Sequence, residues 1–255
     1  MVRAASFASL LAATLVMAPA TARSQVNVEP LRNQLKDRGF GARLAASAAS
    51  YAGNTRGVAL GGAAFAGFRS SAHLGYVATS GSYTALGGTV SIANWFAHVR
   101  HEYELHERVS WEEFAQLESD RFRRITWREL IGTGPRFRIV DGESVQLFAG
   151  TAYMYEYITL SGDARRESGG VHRSSNYLAI TLRAHPKISV SSVTYFQPRF
   201  DAPSDFLVLS THDADFEITG RLHSKLSAKF RYDSLPPPGV ERADLALSSG
   251  LELHF

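Results

Sequence analysis

Hydrophobic and polar residues alternate along most of the chain, with a period of two residues from Gly39 onward. The alternation is clearest in residues 221–233 and 244–255, where leucine or aromatic residues occupy most alternate positions and charged or small residues occupy the others. Successive side chains of a β-strand point to opposite faces. The pattern therefore predicts strands with one apolar and one polar face.

Short polar segments, many containing glycine or proline, interrupt the alternation and predict about twelve strands, an even number typical of outer-membrane β-barrels. The connections at one end are short, whereas those at the other end include longer loops at 80–89, 161–172, 199–204 and 234–240. This asymmetry is also typical of such barrels. The expected fold is an all-β, closed, antiparallel up-and-down transmembrane β-barrel. The predicted strands are 40–51, 56–68, 72–80, 90–105, 109–120, 122–138, 145–159, 174–184, 187–198, 206–217, 221–233 and 243–255.

Aromatic residues lie toward the two ends of these strands, and two such rows predict belts at two membrane interfaces, because amphipathic rings favour the headgroup level. A soluble secreted β-protein would also contain aromatic rings in its core and is an alternative. The residues near the longer loops are Tyr51, Trp95, Tyr153, Tyr155, Tyr157, Tyr195, Phe230 and Tyr232, and those near the short turns are Phe40, Phe68, Phe137, Phe148 and Phe255.

The N-terminal residues follow a different pattern. Arg3 precedes an apolar stretch at 7–17 and a run of mostly small residues at 18–24, as in a secretory signal peptide. We predict a signal peptide over 1–24, a short periplasmic segment over 25–38 that begins at Gln25, and the barrel over 39–255. No apolar run of about 18 residues follows the signal, so a membrane-spanning helix is not expected.

Composition removes several classes of protein. The 255 residues include no cysteine, which excludes a disulfide framework, a thiolate metal site, a cysteine nucleophile and a lipid-modified N-terminal cysteine. The formal net charge is +3 and no long basic run is present, so nucleic acid is not an expected partner. No cofactor is expected.

Three carboxylates at alternate positions, Asp213, Asp215 and Glu217, share one strand face and could bind a metal ion. The next strand carries basic residues at the same spacing, and Gly220 suits the left-handed position of a three-residue hairpin loop. We therefore predict a charge ladder facing the lumen rather than a metal site. Its pairs are Glu217 with Arg221, Asp215 with His223 and Asp213 with Lys225, and Lys229 and Arg231 continue it.

A second cluster of charged residues lies between positions 98 and 128. Its carboxylates could act as a general acid and base, but the mixed charges favour a salt-bridged lumen. Strict alternation turns Glu113 outward unless a bulge intervenes. The lumen candidates are His98, Arg100, Glu102, Glu104, Glu112, Glu118, Asp120 and Arg128. Arginines expected near the outer surface, either solvated or beside lipopolysaccharide phosphates, are Arg121, Arg123, Arg124, Arg165, Arg166 and Arg199.

Outer-membrane barrels can host lipid hydrolases with Ser–His dyads, so neighbouring serine and histidine residues are candidates. His223 and Ser224 are adjacent, so their side chains point to opposite faces and do not form a dyad directly, although a cross-strand partner stays open. No glycine-rich phosphate loop or Gly-x-Ser-x-Gly elbow is present. We predict no catalytic, cofactor-binding or metal-ligating residues, and no enzymatic activity.

Several separated segments resemble the domain of unknown function 481 family, also called salt-induced outer-membrane proteins. The resemblance implies an outer-membrane β-barrel and implies no established activity. The chain's ending also resembles the recognition signal of the barrel assembly machinery, with Ser248, Gly250, Leu253 and a terminal Phe255. The segments that carry the family resemblance are 50–55, 111–114, 120–124, 132–137, 236–240 and 247–255.

The expected function is that of a bacterial outer-membrane barrel, either a small channel or a structural barrel for envelope integrity, with a polar charged lumen. One alternative is a barrel enzyme acting on lipid or lipopolysaccharide, and the other is the soluble secreted β-protein. The expected partners are outer-membrane lipid, lipopolysaccharide and the barrel assembly machinery.

Overall fold

A computed structural model describes residues 35, 38–54, 56–161, 169–220 and 222–253. The predicted signal peptide and most of the segment 25–38 lie outside these residues. None of the described residues form a helix with the length and hydrophobicity of a membrane span. The strands are β1 (Gly39–Tyr51), β2 (Gly57–Arg69), β3 (His73–Leu86), β4 (Thr89–His106), β5 (Val109–Asp120), β6 (Ile125–Asp141), β7 (Val145–Leu160), β8 (Gly169–His185), β9 (Ile188–Pro198), β10 (Phe206–Glu217), β11 (Leu222–Asp233) and β12 (Ala243–Leu253).

The 12 strands form one sheet in the order of the sequence, and each pairs antiparallel with the next. The predicted all-β, up-and-down arrangement of twelve strands is therefore confirmed. The predicted closure is not present, because no ladder joins β1 to β12 among the described residues. Alternation indicates which side chains share a face of the sheet. It does not specify whether, or in which register, the first strand pairs with the last.

The connections divide into two ends of the sheet. Short turns at 70–72, 107–108, 142–144, 186–187 and 218–221 form what we call the turn end. The other end, the loop end, has connections at 52–56, 87–88, 121–124, 161–168, 199–205 and 234–242.

The loop predicted at 80–89 is wrong, because β3 continues to Leu86 and a two-residue turn follows. Gly87 and Gly88 have φ values of 58° and 80°, the left-handed conformation that glycine adopts at little cost in tight hairpins. The serine, threonine and glycine residues of this segment weakened the alternation and led to the wrong boundary.

The sheet curls toward one face. Tyr177 on β8 donates a hydrogen bond of 2.7 Å to Glu112 on β5, although three strand spacings would separate these strands by about 14 Å in a flat sheet. We call the face that carries both residues the concave face and the opposite one the convex face. Apolar side chains such as Phe114, Leu130 and Met154 pack together on the concave face.

The two expected aromatic belts need correction at two positions. Tyr195 is 2 % exposed and Phe148 is 8 % exposed, and both belong to an apolar cluster on the concave face. Their places in lipid-facing belts are therefore wrong. Their height along the strand suits a belt, but alternation places both side chains on the concave face.

Candidate functional site

A continuous chain of ion pairs crosses the concave face near the loop end. At its centre, Glu156 lies 2.8 Å from Arg128 and 3.2 Å from Arg173. All three side chains are at most 1 % exposed. Arg128 also contacts Glu118 at 3.3 Å, and Arg173 contacts Asp205 at 3.0 Å. Four strands and one loop are thereby joined through alternating charges, and buried charges require such partners.

The chain of ion pairs extends to a connection at each side. Arg123 lies 3.3 Å from Glu118 and 3.0 Å from Asp120, whose carboxylate also accepts backbone hydrogen bonds within the turn 121–124. Arg123 lies in a loop-end turn, but it is only 7 % exposed, so the expectation that it is solvated or contacts lipopolysaccharide phosphates is wrong. We call these ion-paired side chains the loop-end network. Its members are Glu118, Asp120, Arg123, Arg128, Glu156, Arg173 and Asp205.

At the opposite side, Arg199 connects the loop-end network to solvent. Its guanidinium lies 3.2 Å from Asp205 and 2.6 Å from the exposed Asp201. The hydrogen bonds from Arg199 hold the pKa of the Asp201 carboxyl below its usual value, and the same bonds raise the pKa of Arg199. The loop 199–205 is thus fixed to the strands by charge.

A second group of polar side chains lies closer to the turn end, and we call it the central network. Glu112 contacts Arg100 at 3.4 Å and Arg136 at 3.6 Å, and it accepts the hydrogen bond from Tyr177. Arg136 also lies over the ring of Phe148, 4.1 Å from its centroid. Side chains from β4, β5, β6, β7 and β8 therefore meet inside the curled sheet.

A cavity of about 20 Å³ lies beside the loop-end network. Its walls include Arg128 and Glu156 together with Arg231 and Asp233 of β11. A volume of this size holds about one water molecule, so this space is no wide channel. The walls bring β11 close to β6 and β7 across the concave face.

The predicted charge ladder forms with a different register. Glu217 lies opposite His223, Asp215 opposite Lys225, and Asp213 opposite Ser227, so the predicted pairs are displaced by two residues. Gly220 lacks the positive φ expected of it, because the hairpin closes through a turn from Thr219 to Leu222 instead. The predicted partner Arg221 lies outside the described residues.

The ion pairs of the ladder include diagonal contacts as well as contacts between residues directly opposite each other. Asp215 accepts a hydrogen bond of 2.7 Å from the diagonal His223 and lies 3.7 Å from Lys225. Glu217 lies 3.9 Å from Lys187 of the preceding turn. Within the described chain, no group of three His, Asp or Glu side chains is arranged to hold a metal ion. Of the remaining ladder residues, Lys229 is half-buried, and Arg231 lies 3.7 Å from Asp233.

The other predicted lumen residues differ in burial. His98 and Glu102 are 1 % and 3 % exposed, whereas Glu104 lies at the turn end, 40 % exposed and 3.8 Å from Arg138. Glu113 faces the convex side without a bulge and lies 3.6 Å from His101. The bulge considered for it is therefore absent.

Several residues of the two networks were missed in the sequence. Those on strands have the alternation of the strand as a signal, but alternation identifies the face of a side chain and not its partner on a distant strand. The missed residues are Arg136, Glu156, Arg173, Tyr177 and Asp205. Of the predicted assembly signal, Ser248 and Gly250 lie on β12, whereas Phe255 lies outside the described residues. Arg165 and Arg166 lie outside them as well.

Comparison with known proteins identifies a family. A family model described as "Protein of unknown function, DUF481" matches residues 44–255, which confirms the expected family. No curated protein matches the chain. Similar solved structures include a NanC porin, 7 % identical with a TM-score of 0.48, covering 85 % of this chain and 98 % of that one. Another is a bacterial polysaccharide outer membrane secretin, 9 % identical with a TM-score of 0.46, covering 85 % and 90 %.

Proposed function

The chain belongs to the DUF481 family of proteins of unknown function, and we propose from its architecture that it is a closed β-barrel of a bacterial outer membrane. In this proposal the barrel serves the integrity of the envelope and has at most a narrow path through its interior. The proposal includes export through the signal peptide and insertion by the barrel assembly machinery.

The main support for the proposal is the exposure of the two faces: apolar side chains are exposed on the convex face, and charged side chains are buried on the concave face. Leu44, Ile131 and Leu247 on the convex face are 85 %, 61 % and 69 % exposed, whereas Arg100 and Arg173 on the concave face are at most 1 % exposed. A soluble β-protein buries its apolar face, because exposed apolar area is unfavourable in water. Hydrocarbon reverses this preference, so lipid is the solvent that fits the convex face.

Aromatic side chains on the convex face support the same placement. Trp95 lies toward the loop end and Tyr103 toward the turn end of β4, with apolar positions such as Val99 between them. The interval of eight residues from Trp95 to Tyr103 spans about 27 Å along the strand, or about 20 Å along the barrel axis at the usual strand tilt. This height is close to the apolar band of outer-membrane barrels, about 25 Å.

The interior favours a structural barrel over an open porin. The loop-end and central networks occupy the concave face with side chains from five of the strands and two connections. Moving solute through this region requires breaking buried ion pairs, at a cost of about 3–5 kcal/mol for each partner removed. Closure by pairing of β1 with β12 would also satisfy the backbone of both edges in lipid.

Two measurements test the proposal. We expect the protein in the outer-membrane fraction, with faster gel mobility before boiling than after it. Identical mobility together with recovery in the soluble fraction would overturn the proposal. In planar bilayers we expect no large, persistent conductance steps, and the appearance of such steps in the wild-type protein would replace the structural barrel with an open channel.

A further inference from the structure

A polar cluster interrupts the apolar convex face at the middle of β9 and β10. Thr194 lies opposite Ser210, and Ser192 lies opposite His212, with all four side chains on the convex side. We call these four residues the convex Ser–His cluster. The adjacent strands present apolar residues at the same levels, namely Leu178, Ile180, Ala228 and Phe230.

Hydrogen bonds connect the cluster in one line. The imidazole of His212 lies between two hydroxyls, with Nε2 at 2.9 Å from Ser210 Oγ and Nδ1 at 2.9 Å from Ser192 Oγ. Thr194 Oγ1 lies 2.7 Å from Ser210 Oγ. With a proton on Nδ1, His212 donates to Ser192 and accepts from Ser210, which in turn accepts from Thr194. The Ser210 hydroxyl is then directed at a base, as a serine nucleophile requires.

The packing of the convex face does not explain why these four positions are polar. Replacing both partners of a hydrogen bond by apolar groups of similar shape is nearly neutral in stability, so an apolar cluster would serve a lipid-facing surface at least as well. An ionisable side chain within a membrane is costly and by default indicates a functional site. The convex position of His212 therefore favours chemistry on lipid.

The depth of the cluster suits a lipid ester. The ring of Phe206 lies 5.4 Å from that of Phe196 and 5.7 Å from that of Tyr232, which marks an aromatic row at the loop end. Phe196 and Tyr232 both lie opposite Val208, two residues before Ser210 on β10. Two residues correspond to about 7 Å along the strand and about 5 Å in depth at the usual tilt. The acyl esters of a lipid lie at this level, just below the headgroups.

We propose that Ser210 and His212 hydrolyse acyl esters of membrane lipid, an inference that rests on the proposed membrane placement. His212 Nε2 accepts the Ser210 proton while Ser210 Oγ attacks the ester carbonyl carbon. The bond between the acyl carbon and the lipid alcohol oxygen breaks, and His212 returns the proton to that oxygen. Water then attacks the acyl-serine, the fatty acid leaves, and Ser210 regains its proton. Ser192 is a positioning residue, because its hydroxyl accepts the hydrogen bond from His212 Nδ1 and so fixes the orientation of the imidazole ring.

The test uses purified full-length protein in vesicles of phosphatidylethanolamine and phosphatidylglycerol, with or without lipopolysaccharide. We expect release of fatty acid from wild-type protein, reduced by about 100-fold or more in Ser210→Ala and His212→Ala, since general-base catalysis contributes 10²–10⁴-fold. Ser224→Ala, on the convex face of β11 outside the cluster, should retain the wild-type rate. The two vesicle compositions distinguish phospholipid from lipopolysaccharide as the source of the ester.

Folding of every variant is checked by the mobility difference between unboiled and boiled samples. If folded wild-type protein releases no fatty acid from either vesicle, the catalytic inference is wrong and the membrane barrel stands. Loss of the mobility difference in the wild type would instead overturn the barrel itself. As a second measurement, an alkyl phosphonate should modify Ser210 in the wild type and not in His212→Ala. Modification that persists without His212, or that occurs on another serine, contradicts the assigned base.

Discussion

Neutralising Glu156 should destabilise the protein more than neutralising an exposed acid. Its carboxylate lies between Arg128 and Arg173, and all three side chains are at most 1 % exposed. Removal of one partner from a buried pair costs about 3–5 kcal/mol. Each arginine keeps a second carboxylate, Glu118 or Asp205, so we expect the lower end of this range, about 3 kcal/mol, for Glu156→Gln.

The assay is urea unfolding of the reconstituted protein, followed by the fluorescence of its 3 tryptophans. With a slope of about 1–3 kcal/mol per molar urea, the midpoint should fall by between about 1 and 3 M. Glu143→Gln, in an exposed turn, is the matched control and should change stability by less than about 0.5 kcal/mol. Equal midpoints for the two variants would refute the structural role assigned to the loop-end network.

Three further predictions concern a turn, a loop and a register. Gly88→Val should cost about 1–2 kcal/mol of unfolding free energy because φ is 80° there, and an unchanged urea midpoint would contradict the two-residue turn. The Asp201 carboxyl should titrate below its ordinary pKa by carbon NMR, and its value should return upward in Arg199→Gln. Because the pKa is depressed on folding, the loop's stabilisation is present above the unfolded value of about 3.9 and lost as pH falls through the folded value. A cysteine pair replacing Asp215 and Lys225 should cross-link on oxidation, whereas a pair two residues out of register should not.

The alternation of side chains allowed most of the strands to be predicted, because a period of two determines which residues share a face. β5 and β10 have the predicted bounds, and the order of the sheet follows from short antiparallel connections. Register was predicted less well, since it depends on the turn. At the hairpin that contains Gly220, the backbone register differs from the predicted one by two residues, although Asp215 still contacts His223 along the diagonal.

The partners within the networks could not be predicted for a different physical reason. Curvature brings β5 within 2.7 Å of β8, between Glu112 and Tyr177, although 65 residues separate them. The convex Ser–His cluster does not follow from adjacency in the sequence, since adjacent residues such as His223 and Ser224 have side chains on opposite faces. Ser210 and His212 are two residues apart and therefore share a face.

The proposed barrel requires the convex face to meet lipid and the concave face to line the lumen. Ala246 and Leu247 are neighbours on β12, with Leu247 on the convex face and 69 % exposed. Since the chain has no cysteine, a single cysteine at either position carries one spin label. In outer-membrane lipid, we predict that the label at 247 relaxes faster with dissolved oxygen than with a water-soluble nickel complex, and that the label at 246 shows the opposite preference. Equal access of the nickel complex to both labels would show that the convex face meets water rather than lipid.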